Sequence, residues 1–176
     1  MYLSCLNYGI CLQALILALT LVGAGWSQTA TPTAPGSSNP YQQAVTYLDQ
    51  AEQELNAKNL SAALSLVKQT NAIFTSLQKE SAAKLAERQL SDQESQQLAI
   101  NQKLATEAQA KADDLLVTAA AKKKQAEELR NKGQAEAGDA AERESKDHYL
   151  QVQTFSIKSA IYALRNQQII FRFLAP

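Results

Sequence analysis

The chain of 176 residues carries 17 basic and 17 acidic side chains, one histidine and two cysteines, for a formal net charge of zero. Such a balance argues against nucleic acid as the main partner, because phosphate recognition draws on a basic excess. Both cysteines, Cys5 and Cys11, stand near the N-terminus, so the remainder has no disulfide and no thiolate nucleophile or metal ligand, and its length suits one core held by packing alone.

An apolar run, ICLQALILALTLV, leads into GAGWSQ. The run has the length of a signal-peptide core and is short for a membrane span. Residues 1–27 are therefore expected to be a signal peptide, cleaved after Ala24 or Ser27, with the chain exported to the periplasm or the cell exterior. The alternative is an uncleaved N-terminal membrane anchor, because MYLSCLNYG holds no Lys or Arg. A lipoprotein is not expected, since Ile10 stands before Cys11 where a small residue is needed. Residues 28–39, QTATPTAPGSSN, form a Thr/Ser/Pro/Gly linker that can bury nothing and is expected to be disordered.

Residues 40–176 are expected to form a single helical domain. Asn39-Pro40 is a helix-start signal, an N-cap residue followed by proline at the first helical position. Between Tyr41 and Ala175 there is no proline, the glycines are Gly133 and Gly138, and Ala, Gln, Leu, Lys and Glu dominate. No stretch supports a strand. The fold class is all-α, a bundle of three to four long antiparallel helices, partly coiled-coil-like, over about 41–58, 61–90, 92–132 and 139–174.

The first helix carries Ala44, Leu48, Ala51 and Leu55 on one face. The stretch KNLS turns the chain, with Asn59 expected as the left-handed C-cap and Ser61 as the next N-cap. The second helix buries Leu64, Val67, Phe74 and Leu77. Ser91 and Glu94 have capping-box spacing, which suggests a new start, although uninterrupted helix through this point is the alternative. The third helix has a thin seam of Ile100, Leu104, Ala108, Leu115, Ala119, Ala126 and Leu129, a stripe that suits one neighbour at close approach. Gly133 to Gly138 are expected to make the next turn, with Asp139 capping the last helix.

On a helical wheel the last helix gathers Asp147, Thr154, Lys158, Arg165 and Arg172 into one narrow stripe. Apolar side chains occupy roughly two thirds of the circumference, well beyond the usual arc. Leaving half a dozen of them wet would forfeit roughly 10 kcal/mol, comparable with the stability of a whole domain. Three covers fit. The first helical pair can supply Tyr41, Tyr47, Leu48, Phe74 and Leu77, so that helices one, two and four share the richer core. A protein partner or second copy could meet an interface of Phe155, Ile161, Tyr162, Ile169, Phe171 and Phe173. A membrane surface could receive the helix with Lys158, Arg165 and Arg172 as a lipid-facing basic stripe. Arg165 and Arg172 interrupt any run long enough to span a bilayer.

Motifs that carry chemistry are few. In AAAKKKQAEELRNKG the basic residues face acids four positions away, Lys123 with Glu127, Lys124 with Glu128 and Lys132 with Glu128, as on a solvated helix face. Glu144 and His148 lie one turn apart and could offer two metal ligands, but Ser145 stands where a carboxylate-bridged bundle needs Glu. KADDLL and AEEL lack the oxygen-rich loop of a calcium site. No Cys-x-x-Cys-His, phosphate loop, Gly-x-Ser-x-Gly or His-Glu-x-x-His occurs. No catalytic, cofactor-binding or metal residue is assigned, no small-molecule substrate is indicated, and the chain is not expected to be an enzyme.

AVTYLDQAEQELNAKNLSAALSLVKQTNAIF resembles a single tetratricopeptide-type hairpin. Tyr47, Ala51, Ala63 and Leu64 sit where that repeat prefers an aromatic, a small residue and an Ala-Leu pair. Glu54 and Val67 depart from it, and no second copy follows at the repeat's period of about 34 residues. The resemblance implies a helical hairpin and no more. The functional expectation is an exported, non-enzymatic helical bundle acting as a structural, scaffold or protein-binding module. The alternative is a peripheral membrane-binding protein using its C-terminal helix.

Overall fold

The computed structural model describes residues 39–176, which are helical with no strand among them. The expected signal peptide and all but the last residue of the expected linker lie outside these residues. Five α-helices follow in order: α1 (Pro40–Asn56), α2 (Leu60–Glu80), α3 (Ala82–Glu87), α4 (Asp92–Asn131) and α5 (Ala135–Ile170), with a closing 3-10 turn at Arg172–Leu174.

Helix α1 starts as the sequence directs. Asn39 Oδ1 accepts the Tyr41 N–H at 2.9 Å, and Pro40 opens the first turn. Its end differs from expectation. Lys58, not Asn59, takes the left-handed conformation at φ 62°. The Asn59 N–H then reaches the Glu54 carbonyl at 2.8 Å and the Lys58 N–H that of Leu55 at 3.0 Å, the paired bonds that close a helix C-terminus. Ser61 is not the N-cap of α2; Asn59 holds that position without a side-chain bond.

The second helix is shorter than expected. It ends at Glu80, and Ser81 separates it from the six-residue α3, which buries no residue. After Leu77 the next apolar side chain of any size to pack against the core is Leu85, which is partly buried. Ser91 marks a true corner. Its Oγ accepts the Glu94 N–H at 3.2 Å while Glu94 Oε2 accepts the Ser91 N–H at 3.0 Å. That backbone bond from Ser91, with the Arg88 guanidinium nearby, holds the Glu94 carboxyl below its ordinary range.

Helix α5 begins at Ala135 instead of residue 139. Gly133, at φ 76°, reverses the chain alone, with its N–H on Arg130 O and the Gln134 N–H on Leu129 O, both at 2.9 Å. Gly138 is therefore inside the helix, not in the turn. A Cβ there would meet the Ala126 carbonyl oxygen at 3.0 Å, so only glycine lets the helices close this far. Asp139 is no cap either; it pairs with Arg130.

Helices α4 and α5 run antiparallel along most of their lengths, about 60 Å and 54 Å at 1.5 Å per residue for 40 and 36 residues. The seam keeps Ala108, Leu115, Ala119 and Ala126 of the expected stripe, and only at its start does it move one position, from Ile100 and Leu104 to Asn101 and Ala105. Asn101, Ala105, Ala108, Ala112, Leu115, Ala119 and Ala126 are buried, whereas Ile100 is 51% exposed. The reason lies across the seam. Asn166 Nδ2 donates to Leu98 O at 3.3 Å, Ser159 Oγ to Ala105 O at 2.8 Å and Ser145 Oγ to Ala119 O at 2.8 Å. These donors reach a backbone carbonyl only where small residues allow the two chains to come close.

The main core lies on the other side of α5. Tyr41, Ala44, Leu48 and Ala51 of α1 and Ala63, Val67, Phe74 and Leu77 of α2 enclose Ile157, Ala160, Ile161, Leu164 and Phe171. Phe74 and Phe171 stack with centroids 5.7 Å apart and planes 10° from parallel. Helix α5 is thus the central element, with α1 and α2 on one side and α4 on the other. Its apolar breadth follows from serving two neighbours at once. The stretch of α5 before Ile157 adds nothing to the shared core, so with α4 it forms a two-helix arm.

Candidate functional site

Because α5 is covered on two sides, its expected interface divides. Ile161 and Phe171 are 3% and 1% exposed inside the chain's own core, so they are unavailable to a partner. Phe155, Tyr162 and Ile169 are half-buried. Phe173 keeps an exposed flank, and the Arg88 guanidinium lies 5.4 Å from its ring centroid.

The basic stripe is likewise broken up. Arg165 bonds Asp49 at 2.8 Å and Glu52 at 2.6 Å, both on α1. Burial opposes its charge, but the bonds to Glu52 and Asp49 outweigh that and keep the guanidinium charged. Lys158 is exposed, 6.0 Å from the Tyr162 ring centroid, and Arg172 is exposed near the C-terminal turn. A continuous lipid-facing row of three cations is therefore not what α5 presents.

The end of α5 is fastened by side chains from other elements. A helix terminus leaves its last carbonyls without intrahelical donors. Here Tyr41 Oη donates to Gln168 O at 3.2 Å, Arg88 Nη1 to Ile169 O at 2.8 Å, and Asn39 Nδ2 to Leu174 O at 3.1 Å. Burial pushes the Tyr41 phenol up, with Arg172 and Arg88 acting in the opposite direction. Arg88 also bonds Glu94 at 2.7 Å, so one guanidinium joins the α3–α4 corner to the C-terminal turn. Sequence reasoning missed Arg88, because Ile169 and Phe173, which it meets at the C-terminal turn, lie far away in the chain.

Glu144 and His148 have separate surroundings. The Glu144 carboxylate pairs with Lys122 across the seam at 2.5 Å, and that bond holds its pKa below the ordinary carboxylate range. His148 Nδ1 is buried without a hydrogen-bond partner. Among the described residues no three His, Cys, Asp or Glu side chains converge as a metal site would need. Lys124 and Glu128 form the expected intrahelical pair at 3.9 Å.

At the junction of α1, α2 and the C-terminal turn lies an open groove of about 560 Å³, bordered by Asn39, Pro40, Leu77, Glu80, Leu174 and Pro176. Gln42 and Ser81 complete its lining, and the Glu80 carboxylate there accepts a hydrogen bond from Ser76 Oγ at 2.7 Å. The remaining exposed apolar residues sit chiefly on the arm: Val117 at 72%, Leu150 at 54% and Leu116 at 42%. Leu150 was legible in principle, since it continues the stripe Ile157, Leu164, Phe171 by one seven-residue step. Among the described residues no helix is long and apolar enough to cross a membrane. No family model matches the chain, and no curated protein or solved structure is significantly similar to it.

Proposed function

We propose that this chain is an exported, non-enzymatic helical bundle that serves as a scaffold or protein-binding module, with α4 and α5 as a coiled-coil-like arm carrying the contact surface. The observation behind this reading is the arm itself. It continues past the core shared by α1, α2 and α5, and it carries the exposed Leu116, Val117 and Leu150. Polar groups that could do chemistry elsewhere are engaged in holding helices together, as Glu144 is with Lys122 and Arg130 with Asp139. Export rests on the leader read from residues 1–27. The membrane-surface alternative has less support, because Arg165 is neutralised by Asp49 and Glu52.

Site-specific photo-cross-linking in the producing cell tests the proposal. A photoreactive side chain at Val117 should yield one discrete protein adduct. The same group at Lys68, an exposed position on α2 away from the arm, should not. No adduct at Val117, or identical adducts at both positions, removes the arm as a contact surface.

A further inference from the structure

The two ends of the α4–α5 pair are built from different materials. At the end near α1 and α2, the buried side chains include Phe74, Phe171, Leu48, Ile157 and Leu164. Beyond Leu115 on α4, and before Ile157 on α5, the buried residues are Ala119, Ala126, Gly138, Ala141 and Ser145. Such residues remove little apolar surface from water, and burial is what chiefly stabilises a helix pair. The ion pairs between α4 and α5 fall in the same region. Lys122 bonds Glu144 at 2.5 Å, Arg130 bonds Asp139 at 2.7 Å, and Arg130 also bonds Glu142. Lys146 supports Glu142 from within α5 at 2.8 Å.

We propose that the outer end of the α4–α5 arm is an electrostatically fastened clasp, which opens as a unit under salt or acid while the α1–α2–α5 core stays folded. The charged groups facing one another there are Lys122 and Arg130 from α4 and Asp139, Glu142, Glu144 and Lys146 from α5, with His148 one turn beyond Glu144. Their side chains remain partly exposed to water, so dissolved ions screen them. Acid acts in the same direction. The bonds from Lys146 and Arg130 hold the Glu142 carboxyl at about 2, and Lys122 lowers that of Glu144. The part of each depression that comes from α4, through Arg130 on Glu142 and Lys122 on Glu144, favours the closed arm above the ordinary value of 4.5. It is lost as pH falls towards about 2, whereas the Lys146 bond within α5 is indifferent to closure.

Hydrogen exchange of the full chain, read by mass spectrometry in about 0.02 M and about 0.5 M NaCl, tests the clasp. Amides of residues 119–148 should exchange about five- to thirtyfold faster at the higher salt, the range expected for losing several weak pairs. Amides of residues 44–77 and 157–164 should be unchanged. Arg130→Gln should exchange rapidly at low salt already and lose most of the salt response. Lys124→Gln, which removes a pair within α4, should keep it. The clasp is overturned if residues 119–148 are indifferent to salt, if the whole chain accelerates equally, or if Lys124→Gln acts as Arg130→Gln does. Should Arg130→Gln fail to fold, the salt comparison on the unaltered chain still decides.

Discussion

Ser159 Oγ donates to the Ala105 carbonyl at 2.8 Å, and Ser145 repeats the bond to Ala119 at the same distance, two seven-residue steps away on both helices. Asn166 and Leu98 lie one step beyond on one side, and Gly138 closes on Ala126 one step beyond Ser145 on the other. A constant step of seven in opposite directions defines a single antiparallel register. The register is carried by polar and small residues, so helix separation is its sensitive variable.

Ser159 is fully buried, and a branched side chain there has no room. Ser159→Leu should destabilise the chain by about 1–3 kcal/mol through overpacking. Ser159→Ala should cost less, about 0.5–1.5 kcal/mol, because the Ala105 carbonyl keeps its helical bond. Urea unfolding followed by circular dichroism measures both. Equal costs for the two variants would mean that close approach does not govern the seam.

Much of the architecture could be read from residue order. Asn39-Pro40 starts α1, Ser91 with Glu94 starts α4, and the freedom from proline keeps α4 and α5 long. What could not be read depends on distance in the chain. Periodicity finds Ala108, Leu115, Ala119 and Ala126 of the α4 stripe but begins it at Ile100 and Leu104, because larger side chains are the natural choice for a buried face. The seam prefers Asn101 and Ala105 because α5 brings Ser159 and Asn166 opposite them. The apolar breadth of α5 was visible, but its division between two neighbours was not, since that depends on which face α1 and α2 occupy. Periodicity puts Arg165 in a basic row with Lys158 and Arg172, and the acids that pair with it, Asp49 and Glu52, lie far away in the chain.

Lys58 occupies the left-handed position that Gly133 fills at the end of α4. A residue with a Cβ is strained there, whereas glycine is not, although glycine loses more freedom on folding. Lys58→Gly should therefore raise stability by about 0.5–1 kcal/mol. Gly133→Ala should lower it by about 1 kcal/mol, even though nothing lies within 4 Å of the position a Cβ would take. Thermal unfolding of the pair checks the opposite signs.

With Arg165 held by α1, Lys158 and Arg172 remain as exposed cations of the stripe. Two exposed charges attract an anionic surface weakly, by about 1 kcal/mol each. The protein should accordingly remain in the supernatant when mixed with vesicles of anionic lipid, and Lys158→Glu/Arg172→Glu should behave identically. Sedimentation of the unaltered chain with vesicles, abolished by that double variant, would reinstate the membrane-surface reading.

Ending the chain at Asp147 separates a removable tail from a central helix. The truncation deletes Ile157, Ile161, Leu164 and Phe171, each 1–3% exposed, along with the stacked partner of Phe74. At about 1.5–3 kcal/mol for each large side chain, the loss is about 6–12 kcal/mol. That equals the whole stability of an ordinary domain. It also strips α4 of the helix that supplies the Ser159 and Asn166 bonds, and α1 of the Arg165 pairs. The shortened chain should therefore be largely unfolded, with weak ellipticity and an expanded radius by light scattering. If it stays helical and compact, with α1 and α2 closing on each other unaided, then α5 is a peripheral addition and its apolar faces belong to a partner after all.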